Sequence, residues 1–365
     1  CEGLVKLGLV QKIQKGYFHR ENLEGSITRF AANDELLSIF SDIKEDPFIV
    51  IQPDLSSESI ILRDKIDGKK QQIDYPDTPG VNEMRDNLLL INKCLNANYP
   101  DIRIRDDEWL PLQERIMTDP QKQPIDLTRR KLVRIFSEGR FDRGGMVYRG
   151  WWQNVPSEYR KYITIDEFVT TEYDYSQLSP NMLYFGYNLE LGNEDAYDRV
   201  LDGEHRDIVK QAFNAMVQSS TQLLQKPEKI NMDELEMTWR ELRDRILEAH
   251  RPIQHLFFKG IGNKLQYTDS CIAESVMLQF AKLNRMTLPI HDSFIMRQGY
   301  SGDLEEAMRR AFYDEFQSDI PIKHEVILER VALFEDDGTS RTEAVTKDDK
   351  EHSQWYDRNT IWLSS

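Results

Sequence analysis

The sequence predicts an α+β fold, and three observations carry that prediction. Phe168–Tyr175 alternates along its length and is rich in β-formers, as a half-buried strand requires. Thr287–Ile290 and residues 294–296 flank His291-Asp292-Ser293 like two strands joined at a tight turn. Four segments, residues 206–219, 232–248, 270–283 and 304–316, space their apolar residues as helices do.

In chain order, residues 4–13 show helical periodicity, and residues 47–51 and 59–62 read as short strands. The turn cluster 74–79 precedes an amphipathic helix over 82–95, with Leu88, Leu89, Ile91 and Leu95 on one side. Residues 111–124 read as loop between two prolines, and 127–136 as a helix ending near Gly139. The 206–219 helix places Ile208, Val209, Ala212, Phe213, Met216 and Val217 inward. The 232–248 helix has exposed pairs such as Glu241 and Arg245 at i,i+4. A period-two strand is expected over 323–333, then a charged, mobile stretch over 335–352. There is no internal repeat.

The 365 residues suffice for two or three domains, and 39% hydrophobic content excludes a disordered chain. No run of about 18 apolar residues exists, so no membrane span is expected. Cys1, Cys94 and Cys271 lack metal spacing and are odd in number, which reads as a reducing, cytoplasmic setting without disulfides. The chain opens on Cys rather than Met, so a missing upstream part is expected.

Against 47 Lys+Arg stand 63 Asp+Glu, a net charge of −16, which argues against a polyanionic partner until the distribution is read. Over residues 129–161, nine basic residues (Arg129, Arg130, Lys131, Arg134, Arg140, Arg143, Arg149, Arg160, Lys161) face Glu138, Asp142 and Glu158, leaving +6. Tyr148, Trp151 and Trp152 are interleaved. Basic residues mixed with aromatics suit a nucleic-acid groove. They equally suit a solvated face beside a core tryptophan.

Two carboxylates carry the chemistry. Asp174 ends the 168–175 strand, and Asp292 sits at the strand–turn–strand. Carboxylates on rigid elements from different strands can hold two divalent ions about 3.5–4 Å apart for phosphoryl transfer. Taken singly, each is as readily a cap or turn residue. Arg206 and Lys210, four residues apart, share a helix face that Phe213, Asn214 and Val217 continue. That face suits a triphosphate with a base stacked beyond it, or is an ordinary charged surface. His205, His250 and His255 lack ligand spacing.

Six blocks in order resemble the A-family DNA polymerases, the family of the bacterial repair polymerase. They are Gly139-Arg140, Gln153-Asn154-Val155-Pro156 with Arg160-Lys161, Asp174-Tyr175-Ser176-Gln177-Leu178, Arg206-x-x-x-Lys210, Leu265-Gln266-Tyr267-Thr268-Asp269-Ser270, and His291-Asp292-Ser293. The resemblance covers about residues 136–320. It implies a right-hand polymerase with an antiparallel palm sheet. The implied layout is a thumb-like or accessory region 1–135, palm 136–189 and 263–334, small helical fingers 190–262 and an acidic tail 335–365.

The resemblance implies roles for single residues. Asp174 and Asp292, with the carbonyl of Tyr175, would hold two Mg²⁺ ions, with Mn²⁺ as an alternative. Arg206 and Lys210 would hold the incoming nucleoside triphosphate, Lys210 also giving a proton to the leaving pyrophosphate. Phe213 or Asn214 would lie near the incoming base. Arg140 and Gln266 would contact the primer–template in its minor groove, Gln153 and Asn154 the nucleic acid, and His291 the primer end.

Three departures bear on sugar selectivity. Ser179 stands where the family has a bulky Glu, Gln218 where it has a Tyr, and Ser293 where it has Glu. The final block is similar to that of single-subunit phage RNA polymerases. The leading expectation is a compact DNA polymerase of phage, plasmid or related replication, using primer–template DNA and dNTPs. The alternatives are an RNA-synthesising polymerase or primase using NTPs, and a catalytically inactive module that binds nucleic acid or a replisome partner. The −16 charge predicts weak, salt-sensitive binding.

Overall fold

The computed structural model describes residues 5–14, 17–19, 24–26, 29–38, 54–119, 122–192, 194–325, 333–334, 340–341 and 358. The first strands are β1 (Val10–Gln14), β2 (Tyr17–His19), β3 (Glu24–Ser26) and β4 (Arg29–Ala32). Then come β5 (Ile60–Ile66), β6 (Lys69–Gln72), α1 (Pro79–Ala97), β7 (Pro100–Ile102), α2 (Asp106–Met117), β8 (Val133–Ser137) and β9 (Arg140–Tyr148). The middle of the chain holds α3 (Ser157–Arg160), β10 (Ile163–Ile165), β11 (Phe168–Tyr175), α4 (Leu178–Phe185), α5 (Arg206–Gln218) and α6 (Trp239–Ala249). The rest is α7 (Gly262–Ala281), β12 (Thr287–Ile290), β13 (Ser293–Arg297), α8 (Ser301–Phe316), β14 (Ile322–Glu325), β15 (Leu333–Phe334) and β16 (Ser340–Arg341).

Two sheets organise the chain. An antiparallel sheet runs β12-β13-β11-β10-β7, with β14 paired to β11. A four-stranded sheet runs β6-β5-β8-β9, in which β5 and β8 are parallel. Local chemistry sets the hairpins. Asp67-Gly68 and Glu138-Gly139 join their strands as two-residue loops with both φ angles positive, the backbone that matches strand twist. The α1 helix starts where Thr78 accepts from the Val81 amide and Pro79 takes the first helical position.

One hydrophobic core unites residues from Ile60 to Met182 and from Ile272 to Ile320, so it joins both sheets, α1, α7 and α8. A second core, from Leu183 to Phe257, belongs to α5, α6 and the loops around them. The boundary expected at residue 135 therefore falls inside β8, and the described part of the N-terminal third from residue 60 onward shares the core of the antiparallel sheet.

The strand over Phe168–Tyr175, the hairpin at 291–292 and the helices near 82, 206, 270 and 304 form as the sequence predicts. The 232–248 helix begins later, at Trp239, where Thr238 and Glu241 form a capping box. Three expectations fail. Residues 10–14 form β1 rather than continuing a helix, because they pair with β4. Residues 133–137 form β8 rather than the end of a helix: pairing with β5 on one edge and β9 on the other satisfies their backbone, and Val133 and Phe136 are buried. Residues 106–117 form α2 although Pro111 lies inside it, because Leu112 and Ile116, one turn apart, both bury. The strand expected over 47–51, most of that over 323–333 and nearly all of the 335–352 stretch lie outside the described residues.

Candidate active site and nucleic-acid interface

The two predicted aspartates arrive on neighbouring strands. Asp174 is the register partner of Ser293 across the β11–β13 pair, and the Tyr175 amide donates to the Asp292 carbonyl at 3.4 Å. Asp292 thus sits one residue beyond the end of the ladder, in a two-residue loop where His291 has φ +54°. A left-handed backbone at a non-glycine residue costs energy, and it holds only where the surroundings fix it. Here they do. The buried Ser293 hydroxyl lies 2.6 Å from Glu172 and 3.0 Å from the Ile290 carbonyl, and Glu172 is itself paired with Arg160 at 2.8 Å. Tyr175 is buried, and its hydroxyl donates to the Met308 carbonyl, fixing the end of β11 on α8.

A third carboxylate joins them. Asp269, on α7, is held well above the usual carboxylate range by burial and then by the charges of Asp292 and Asp174. The residue is half-buried and lies one helical turn from Gln266, which lines the groove described below. The sequence reading used this block only for Gln266 and missed Asp269. The available signal was the i,i+3 spacing, which puts both on one helix face. The close approach of α7 to β9 depends on Gly145. Its φ is +81°, and a Cβ there would fall 2.7 Å from the Phe136 ring and 2.8 Å from Ser270. Arg134, buried beside it, donates to the Gly145 carbonyl, to Ser270 and to Glu274.

The donor set bears on metal chemistry. Among the described residues no three His, Cys, Asp or Glu side chains form a ready-made ion cage. Mg²⁺ is ordinarily held by one or two carboxylates plus substrate phosphates rather than by an all-protein cage. A pair of aspartates on rigid strands, with a third carboxyl behind them, fits that mode.

The second core flanks this centre through α5. Arg206 pairs with Asp195 at 2.7 Å and Asp198 at 3.5 Å, and its guanidinium lies 5.2 Å from the Tyr197 ring centre. It must leave those partners to bind phosphate. Lys210 is exposed and has no ion pair among the described residues. Phe213 is fully buried, edge-on to Tyr197, His250 and Phe257. It is a core residue, which removes it from base stacking and leaves Asn214, partly accessible. Ser179 stands in the first turn of α4, partly buried. His250 bridges Tyr184 and the Ala196 carbonyl, a structural role.

A groove of about 1200 Å³ collects five predicted residues: Gln153, Asn154, Gln218, Gln266 and His291. Gln218 reaches it because Gly262 carries no side chain; a Cβ there would lie 2.2 Å from the Gln218 amide. Gln153 is largely occupied, donating to the Val147 and Pro289 carbonyls and accepting from the Gly150 amide. The groove wall is basic: Arg63, Lys70, Lys122, Arg129, Lys131 and Arg149 against Asp119.

Only part of the +6 window contributes. Arg134 is interior and Arg160 is paired with the buried Glu172. Arg140 lies outside the groove, its guanidinium fork on Asp142, whose carboxyl it holds down to about 2. Trp151 and Trp152 are both fully buried, so neither stacks on a base; Trp152 donates to the Pro289 carbonyl. Tyr148 is the aromatic of that window left in the groove, 40% exposed.

Among the described residues no helix is long and apolar enough to cross a membrane. No family model matches the chain, and no curated protein does. Among solved structures it is similar to the POL domain of Pol1 from M. smegmatis, in complex with DNA primer-template and dNTP. The identity is 10% and the TM-score 0.35, over 67% of this chain and 51% of that one. The chain thus spans about half the length of the polymerase chain it matches.

Proposed function

We propose that the chain is a metal-dependent, template-directed nucleotidyltransferase, a compact DNA polymerase that extends a primer 3′-hydroxyl with nucleoside triphosphates. The observation that carries this reading is the juxtaposition of Asp174, at the end of β11, with the hairpin loop that carries Asp292, whose carbonyl accepts from the Tyr175 amide. On this reading the antiparallel sheet is the palm and the second core the fingers.

The 3′-hydroxyl gives up its proton to solvent as its oxygen attacks the α-phosphorus, a new phosphodiester P–O bond forms, and the bond to the departing pyrophosphate breaks. Mg²⁺, when bound, lowers the pKa of the attacking hydroxyl and neutralises the leaving phosphates. Asp174 and Asp292 would hold it by their carboxylates. Lys210 meets the triphosphate and returns a proton to the leaving group. Arg206 joins it after release from Asp195. His291 and Gln266 orient the primer–template end beside Asp292, Asn154 contacts the nucleic acid, and Asn214 lies near the incoming base.

A second reading, an RNA-synthesising polymerase or primase, rests on Ser179: a small side chain at the sugar gate leaves room for a 2′-hydroxyl. Incubation of the full chain with a primed template, Mg²⁺ or Mn²⁺ and either dNTPs or NTPs separates the two. Extension confined to dNTPs supports the first. Equal extension by NTPs, or products made without a primer, supports the second. Absence of product with retained nucleic-acid binding overturns both.

A further inference from the structure

The groove reaches beyond every residue that the polymerase resemblance accounts for. Two of its basic residues, Arg63 and Lys70, come from the β5–β6 hairpin, and Lys122 from the segment before β8. Among the described residues, none of Arg63, Lys70, Lys122 and Arg149 pairs with a carboxylate. Cationic side chains left unpaired in a concave wall are matched by an anionic ligand. Tyr148 lies at the end of β9, exposed among them, and Arg149 follows it with φ +83°. His291, next to Asp292 in the chain, lines the same groove, so the groove reaches the edge of the carboxylate centre. Its volume of about 1200 Å³ admits a short run of nucleotides.

We propose that this groove is a single-strand track: Arg63, Lys70, Lys122 and Arg149 follow the phosphate backbone, and Tyr148 is the platform on which a base stacks. A positive groove with an aromatic face is how sequence-tolerant single-strand binding is built. The β5–β6 hairpin thereby acquires a function that none of the sequence motifs assigns. The proposal rests on the groove alone and needs no catalysis.

The test is fluorescence anisotropy of a labelled 12-nucleotide single strand and of the matching blunt duplex, with the full chain, without metal or nucleotide, from 50 to 200 mM salt. The expected result is single-strand binding at least about tenfold tighter than duplex binding. Tyr148→Ala weakens it about tenfold, whereas Tyr148→Phe does not. Arg63→Gln with Lys70→Gln flattens the slope of log K against log salt by about 1.4, at about 0.7 per phosphate contact. Lys282→Gln with Arg310→Gln, the same charge change outside the groove, leaves the slope unchanged. Lys70→Gln alone, on a fully exposed strand that bears no packing, gives half the slope change and guards against a misfolded double variant. Equal duplex affinity, no binding by the wild type, or wild-type behaviour of the Tyr148→Ala and double variants would overturn the proposal. Single-strand binding without any primer extension would leave it standing and sink only the polymerase reading.

Discussion

Ser293 and Glu172 meet at 2.6 Å across the β11–β13 pair, beneath the loop that carries Asp292. The position where the A-family has a glutamate is thus a buried serine clamped to a carboxylate of the neighbouring strand, and Arg160 closes the cluster. Ser293→Ala is expected to cost about 1.5–3 kcal/mol of stability, the ordinary loss for a buried hydrogen bond to a charged group. Glu172→Ala should cost more, about 3–5 kcal/mol, because Arg160 is then left without its partner. Urea unfolding midpoints check the order; a Glu172→Ala loss smaller than the Ser293→Ala loss contradicts it.

Arg134 and Glu274 form a second internal pair, at 2.7 Å, between β8 and the helix that carries Gln266 and Asp269. Arg134→Ala is expected to lose about 3–5 kcal/mol, and Arg134→Met with Glu274→Leu to recover most of it. The comparison is made by denaturant unfolding. A double variant as unstable as Arg134→Ala would show that packing, not the uncompensated charge, sets the cost.

His250 links the second core to pH. Burial pushes its imidazole down to about 4 from an ordinary value of 6.5, with the Arg199 charge adding to the effect. Between those values the unfolded chain binds a proton that the folded chain refuses. Stability is therefore full above pH 6.5 and falls as pH drops towards 4, by about 1.4 kcal/mol per unit. Unfolding at pH 7 and pH 5 should differ by about 2 kcal/mol more in the wild type than in His250→Gln. Equal pH dependence in the two would refute the assignment.

Arg358 lies in the acidic tail expected over 335–365, and it forks onto the fully buried Asp101 of β7 at 3.0 Å and sits 5.6 Å from the Trp109 ring. Asp101 is raised by its burial and lowered by Arg358. Arg358→Ala should destabilise the antiparallel sheet by about 2–3 kcal/mol, and Asp101→Asn in that background should restore part of it. Thermal unfolding of the three variants checks this; no loss on Arg358→Ala contradicts it.

What the sequence made legible is what local periodicity controls. β11, the 291–292 hairpin, α5 and α8 follow from spacing and β-former content alone, and they place Asp174, Asp292 and Lys210. β8 was not legible, because the parallel pairing that seats it in the sheet is with the distant β5, although β9 follows it directly across the Glu138-Gly139 turn. Arg134 counted as a groove cation for the same reason: its partner Glu274 is 140 residues away. Phe213 stood near the incoming base through the polymerase resemblance, whereas the helix spacing itself places it inward with Val209 and Met216, where the second core covers it. Asp269 needed the packing of α7 on β9, which a single glycine permits.

The most direct test of the account is the single-turnover rate of nucleotide addition by Asp174→Asn and Asp292→Asn, alongside their affinity for primer–template. The account predicts that each falls by about 10³-fold or more in rate, equivalent to about 4 kcal/mol, while affinity changes by less than threefold. Either variant adding nucleotide within tenfold of the wild type would contradict the assignment of these two aspartates as the catalytic pair.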